Sequence, residues 1–103
     1  MTPRAILIGA PGAGKTTVGE LLAQILGCAF ADSDQLVEVK HGVPVPDIFV
    51  RHGEATFRDW EHAAITQALT GFDGVLALGG GSVMDMDTAR QLRESGSPIF
   101  WLE

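Results

Sequence analysis

The sequence has few basic residues and almost no cysteine. Seven Lys and Arg residues stand against 13 Asp and Glu, a formal net charge of -6 over 103 residues. The seven are scattered at Arg4, Lys15, Lys40, Arg51, Arg58, Arg90 and Arg93, so no basic stripe is available for nucleic acid or an anionic membrane. Any anion must be bound by a few placed groups acting against the overall field. Cys28 is the single cysteine, which excludes an intramolecular disulfide and agrees with a reducing cytoplasm. No apolar run approaches the ~20 residues of a membrane span, and Met1-Thr2-Pro3-Arg4 leads into Ala5 without a secretory cleavage region. The expected protein is a cytoplasmic domain that touches neither nucleic acid nor membrane.

What is present suits a buried core: 46% of the residues are hydrophobic and 19% charged, unlike a disordered chain. Ala5-Ile6-Leu7-Ile8, Cys28-Ala29-Phe30-Ala31, Gly74-Val75-Leu76-Ala77-Leu78 and Pro98-Ile99-Phe100-Trp101-Leu102 read as four buried strands. Helices are expected between them. Lys15 to Leu26 repeats Leu21, Leu22, Ile25 and Leu26 with helical period, and Gly27 suits the C-terminal cap. Asp34 to Lys40 reads as a short helix, Pro46 opens another over Asp47 to Val50, Glu54 to Leu69 is longer, and Asp87 to Glu94 stops at Gly96. Strands alternating with helices predict an α/β fold with a mostly parallel sheet. Residues 1–103 form one domain, and a chain ending on a buried-type strand with no covering helix reads as truncated after the fourth strand.

Gly9-Ala10-Pro11-Gly12-Ala13-Gly14-Lys15-Thr16 matches the phosphate-loop pattern G-x-x-x-x-G-K-[ST] in full, between an apolar strand and an amphipathic helix. Glycines let consecutive N–H groups converge on an anion, and the helix N-terminus adds its dipole. Lys15 supplies a cation for the β- and γ-phosphates, and Thr16 a hydroxyl for Mg²⁺. The pattern specifies a nucleoside triphosphate, not a reaction.

Three further groups fall at strand ends or on the helix between them. Asp32-Ser33-Asp34 follows the second strand, where ligands bind in open α/β sheets. If the backbone stays extended, both carboxylates face one side; they suit Mg²⁺ or a hydroxyl about to be phosphorylated, although Ser33 or Asp34 capping the next helix is the plainer reading. Arg58 lies three residues from Glu61 and beside Phe57, a held guanidinium suited to a carboxylate. Gly79-Gly80-Gly81 follows the third strand and lets the backbone approach a ligand closely. Structural roles are expected for the rest: Cys28, Trp60 and Trp101 in the core, Met84 and Met86 as gap fillers, Asp85 and Asp87 as helix caps, and His41, His52 and His62 without metal-ligand spacing.

Taken together, Gly9 to Thr17, Asp32-Ser33-Asp34, Asp47-Ile48-Phe49, Gly53-Glu54, Phe57-Arg58 with Glu61, and Leu78-Gly79-Gly80-Gly81-Ser82 resemble the shikimate kinase family in order and spacing. The phosphate loop alone is generic; the D-x-D, F-R-x-x-E and G-G-G set is specific. The resemblance implies a P-loop, nucleoside-monophosphate-kinase-like fold of three α/β/α layers. It implies ATP phosphates on Gly12, Ala13, Gly14, Lys15, Thr16 and Thr17, with Mg²⁺ held by Thr16 and Asp32. Asp34 would bind and orient or deprotonate the attacking hydroxyl of shikimate, with Lys15 as the second catalytic group. Arg58, backed by Glu61, would grip the shikimate carboxylate. Gly79, Gly80 and Gly81 would contact substrate through the backbone, and Phe49 and Phe57 would wall the pocket. The implied product is shikimate 3-phosphate, on the route to chorismate and the aromatic amino acids, made by a monomer. The family's lid and adenine-contacting segment have no counterpart in residues 1–103, so a chain of this extent is expected to turn over poorly. The competing readings are another small-metabolite kinase, of gluconate type, and a non-catalytic nucleotide-binding module.

Overall fold

The computed structural model describes residues 2–10, 14–79, 82 and 84–102. The strands are β1 (Ala5–Gly9), β2 (Ala29–Asp32), β3 (Gly74–Gly79) and β4 (Ile99–Leu102); the helices are α1 (Lys15–Leu26), α2 (Ser33–His41), α3 (Val45–Gly71) and α4 (Met86–Glu94). The strands form one parallel sheet in the order β2-β3-β1-β4.

Alternation along the two central strands divides the core in two. Ala5, Leu7, Val75 and Ala77 face Ala23 of α1, while Ile6, Ile8, Leu76 and Leu78 face Ile65, Ala68 and Leu69 of α3 and Leu92 of α4. The result is a three-layer α/β/α sandwich. A third cluster, Val37, Ile48, Phe57 and Ala64, ties α2 to α3 away from the sheet. The central strands are buried up to Gly79, which is partly exposed at the end of β3, as their unbroken apolar runs require. β2 and β4, also read as buried, are the sheet's edges: Ala29, Phe100 and Trp101 are exposed, Trp101 by 66%. Trp101 is therefore not core, and Met84 and Met86 stand in the open rather than filling gaps.

The two helices expected on either side of Gly53 run as α3 with a kink there: Gly53 has φ 87 and ψ 169, backbone that only glycine adopts readily. Pro46 occupies the first turn, where a missing N–H costs nothing. Asp85 caps α4, accepting from the N–H groups of Asp87 and Thr88. Asp87 is not a cap: it pairs with Arg90 and with His62 Nε2 at 3.1 Å. The other ring nitrogen of His62 lies 2.8 Å from Thr88 Oγ1, so this histidine pins α4 onto α3. His41 stacks on Trp60, with ring centroids 3.8 Å apart and planes 9° from parallel, and His52 approaches the same indole from 5.1 Å.

Candidate active site

The strand register decides where the site lies. Gly9 pairs with Gly79 and Asp32 with Ala77, so β1, β2 and β3 end side by side and release their following residues into one crevice. That crevice, about 440 Å³, is lined by Gly14, Lys15, Thr16, Thr17, Asp32, Asp34 and Gly79. Gly12, Ala13, Gly80 and Gly81, also expected here, lie outside the described residues.

On the α1 side, Gly14 takes φ 83 and ψ 18 at the N-terminus of the helix, a left-handed conformation that lets the chain enter the helix without a Cβ clash. No side chain among the described residues caps this terminus, and no acidic residue sits in its first turn. Its N–H donors and positive dipole end are left for an anion. The half-buried Lys15 donates its ammonium to the Gly9 carbonyl, which folds the cation over the end of β1 and into the crevice. Thr16 and Thr17 are exposed on its wall.

On the opposite side, the backbone does not stay extended through Asp32-Ser33-Asp34. Asp32 keeps β conformation (φ -114, ψ 139) and Asp34 already belongs to the first turn of α2. The cap is Asp32, whose Oδ1 accepts from Asp34 N–H at 2.8 Å. Both carboxylates still line the crevice, because the cap bond draws Asp34 in beside Asp32. Although Asp34 as a residue is exposed, its carboxyl is partly withdrawn from water. That withdrawal, the nearby charge of Asp32, and the hydrogen bond and charge of Glu61 push it up to about 6, with Lys15 opposing.

Glu61 connects this acidic side to Arg58. It is 3% exposed, and a carboxylate so buried needs partners. Its Oε1 accepts from Arg58 Nη1 at 3.2 Å and its Oε2 from Ser33 Oγ at 3.3 Å. Arg58 also meets Glu54 at 3.8 Å and lies 5.6 Å from the centre of the Phe57 ring. Phe57 is buried and packs on the more exposed Phe49 at 4.9 Å, across the Gly53 kink. Sequence-predicted residues from four elements, β2, β3 and helices α1 and α2, thus share the crevice, and Arg58 reaches it through Glu61 and Asp34. Among the described residues no group of three His, Cys, Asp or Glu could hold a metal alone. From sequence Ser33 is expected only to cap a helix; its link to Glu61 depends on the packing of α2 against α3, which no local pattern shows.

A family model for shikimate kinase matches residues 11–103. The chain belongs to the shikimate kinase family. It is similar to the shikimate kinase of Saccharopolyspora erythraea, 49% identical over 102 residues that make up 99% of this chain and 57% of that relative. Among solved structures, the shikimate kinase of Acinetobacter baumannii in complex with shikimate aligns with a TM-score of 0.88 at 38% identity, over 99% of this chain and 56% of that one. The shikimate kinase of Aquifex aeolicus aligns with a TM-score of 0.89 at 30% identity, over 97% and 59%. The parallel sheet and its covering helices are thus the shikimate kinase fold. The chain spans somewhat over half the length of the curated relatives it matches, 57% for the Saccharopolyspora protein.

Proposed function

We propose that this chain carries the phosphate- and acceptor-binding part of an ATP-dependent shikimate kinase. The observation that carries the reading is a single crevice lined by both Lys15 and Asp34, with Glu61 linking Asp34 to Arg58. A cation for phosphate, a carboxyl for a hydroxyl and a guanidinium for a carboxylate are thereby connected, which matches an acceptor that is a hydroxylated carboxylic acid. The shikimate-bound relative from Acinetobacter baumannii supports the choice of acid.

In this reading the hydroxyl oxygen of shikimate attacks the γ-phosphorus of ATP. The bond to the β–γ bridging oxygen breaks, ADP leaves, and the hydroxyl proton passes to Asp34 or to solvent, leaving shikimate 3-phosphate. Phosphoryl transfer depends chiefly on positioning and charge neutralisation. Gly12, Ala13, Gly14, Lys15, Thr16 and Thr17 hold the phosphates. Arg58, held by Glu61, orients the acid. Gly79, Gly80 and Gly81 and the rings of Phe49 and Phe57 close round the substrate. Mg²⁺ fits the donor set: the Thr16 hydroxyl and the Asp32 carboxylate are hard oxygens on one crevice, too few for a protein-only cage and suited to a cation shared with phosphate and water. When bound it would neutralise charge on the transferring phosphate. The reading includes a cytoplasmic monomer serving aromatic amino acid synthesis; among the described residues no helix is long and apolar enough to cross a membrane.

The test is ADP release from the protein as its host makes it, with Mg-ATP and either shikimate or gluconate. Turnover with shikimate and little with gluconate is expected. The reverse preference would make it a gluconate-type kinase, and nucleotide binding without turnover on either acid would make it a non-catalytic module.

A further inference from the structure

We propose that Ser33 is a positioning residue for the acceptor: its hydroxyl fixes the Glu61 carboxylate, and Glu61 in turn aims Arg58. The inference rests on the proposed function, since it concerns how the acid is gripped.

Ser33 is the first residue of α2 and fully buried, with 0% exposure. Asp32 supplies the cap, so the Ser33 side chain is not spent on the helix terminus, as serine there commonly is. It crosses to α3 instead and donates to Glu61 Oε2 at 3.3 Å. The other oxygen of that carboxylate is on Arg58 Nη1. Each oxygen of one buried carboxylate therefore has its own donor, from a different helix. Arg58 is half exposed and its second acidic neighbour, Glu54, is farther away and well exposed. Among the described residues Glu61 is accordingly its one buried acidic partner, and the aim of the guanidinium depends on how firmly that carboxylate is held. Without the Ser33 hydroxyl, Glu61 Oε2 loses the donor that α2 supplies, while Oε1 stays on Arg58. The carboxylate is then free to turn, and Arg58 turns with it. A bidentate grip on a planar carboxylate is sensitive to such a rotation. The device also joins the segment bearing Asp34 to the helix bearing Arg58, so hydroxyl end and carboxylate end of the acceptor are set by one contact.

The test compares Ser33→Ala with Ser33→Thr, which keeps the hydroxyl, in the protein as its host makes it. Ser33→Ala should raise KM for shikimate about three- to tenfold, the effect of one ordinary hydrogen bond, with KM for ATP unchanged and with recovery in Ser33→Thr. In an Arg58→Ala background the same substitution should have almost no further effect on KM, because the residue it acts through is gone. An equal effect with and without Arg58, or an unchanged KM, overturns the proposal. A crystal structure of unliganded Ser33→Ala decides independently of turnover: displaced Glu61 and Arg58 side chains support the assignment, and unmoved ones sink it. Absence of shikimate phosphorylation in the parent would count against the function alone.

Discussion

Arg58 and Glu61 lie one helical turn apart on α3, yet their surroundings differ: the guanidinium side chain is 45% exposed and the carboxylate side chain 4%. The pair is not a surface salt bridge of little consequence; its acidic member is anchored inside the protein and its basic member faces outward. Arg58→Lys keeps the charge but loses the fork. A charge-assisted bond of this kind contributes roughly 1.5–3 kcal/mol, so shikimate should bind about ten- to a hundredfold more weakly. Calorimetric titration would measure it, and parental affinity in the variant would reduce Arg58 to a structural role.

Asp34→Asn keeps size and removes the basic oxygen. Turnover should fall at least about a hundredfold while nucleotide affinity changes little. Steady-state kinetics with a separate ATP titration distinguish this from loss of the cation site, in which ATP affinity would collapse as well.

The same carboxyl carries a pH signature. Raised from 3.8 to about 6, Asp34 holds its proton more tightly in the fold than in the unfolded chain. Its contribution to stability is full below about 3.8 and is lost as pH rises through about 6. Above that pH the ionised group is a burden beside Asp32 and Glu61, so Asp34→Asn should melt at a higher temperature than the parent at pH 8 in chelator. At pH 3 the two should converge. The acid limb of kcat/KM, which reports the free enzyme, should lie near the same pH of about 6. A melting point for the variant at or below that of the parent at pH 8 would contradict this account.

Lys15→Ala removes the cation folded over the end of β1. ATP-dependent turnover should disappear, with the fold intact by circular dichroism. Undiminished turnover would mean that the phosphates sit elsewhere.

Gly53→Ala tests the kink. A Cβ at Gly53 would meet nothing within 4 Å, so any cost comes from the backbone at φ 87 and ψ 169. Destabilisation of about 1–3 kcal/mol is expected from urea unfolding. Because the kink seats Phe49 on Phe57, KM for the acceptor should rise too. An unaltered unfolding midpoint would show that α3 can straighten without loss.

The sequence was most legible where a motif and a period coincide. Lys15 to Leu26 is read to the residue, because the phosphate loop fixes one end and Gly27 the other. The break at Gly53 was legible from the change of pattern on either side of it. Strand position was not: apolar runs such as Ile99-Phe100-Trp101-Leu102 are the same whether central or at an edge, and only pairing separates them. The depth of Glu61 was likewise illegible, since Arg58 and Glu61 at three residues' spacing describe an exposed pair equally well; the burial arises from α2 closing over it. Asp32 and Asp34 were found for an incomplete reason, since one caps the helix that carries the other.

The parallel stack of His41 on Trp60 gives the molecule an optical handle. Trp60 is half-buried between two imidazoles, two residues along α3 from Arg58, whereas Trp101 stands in solvent on the far edge of the sheet. A collisional quencher such as iodide should silence Trp101 first and leave emission from Trp60. That remaining signal would then follow the packing of α2 against α3 as the acceptor binds, without any added dye.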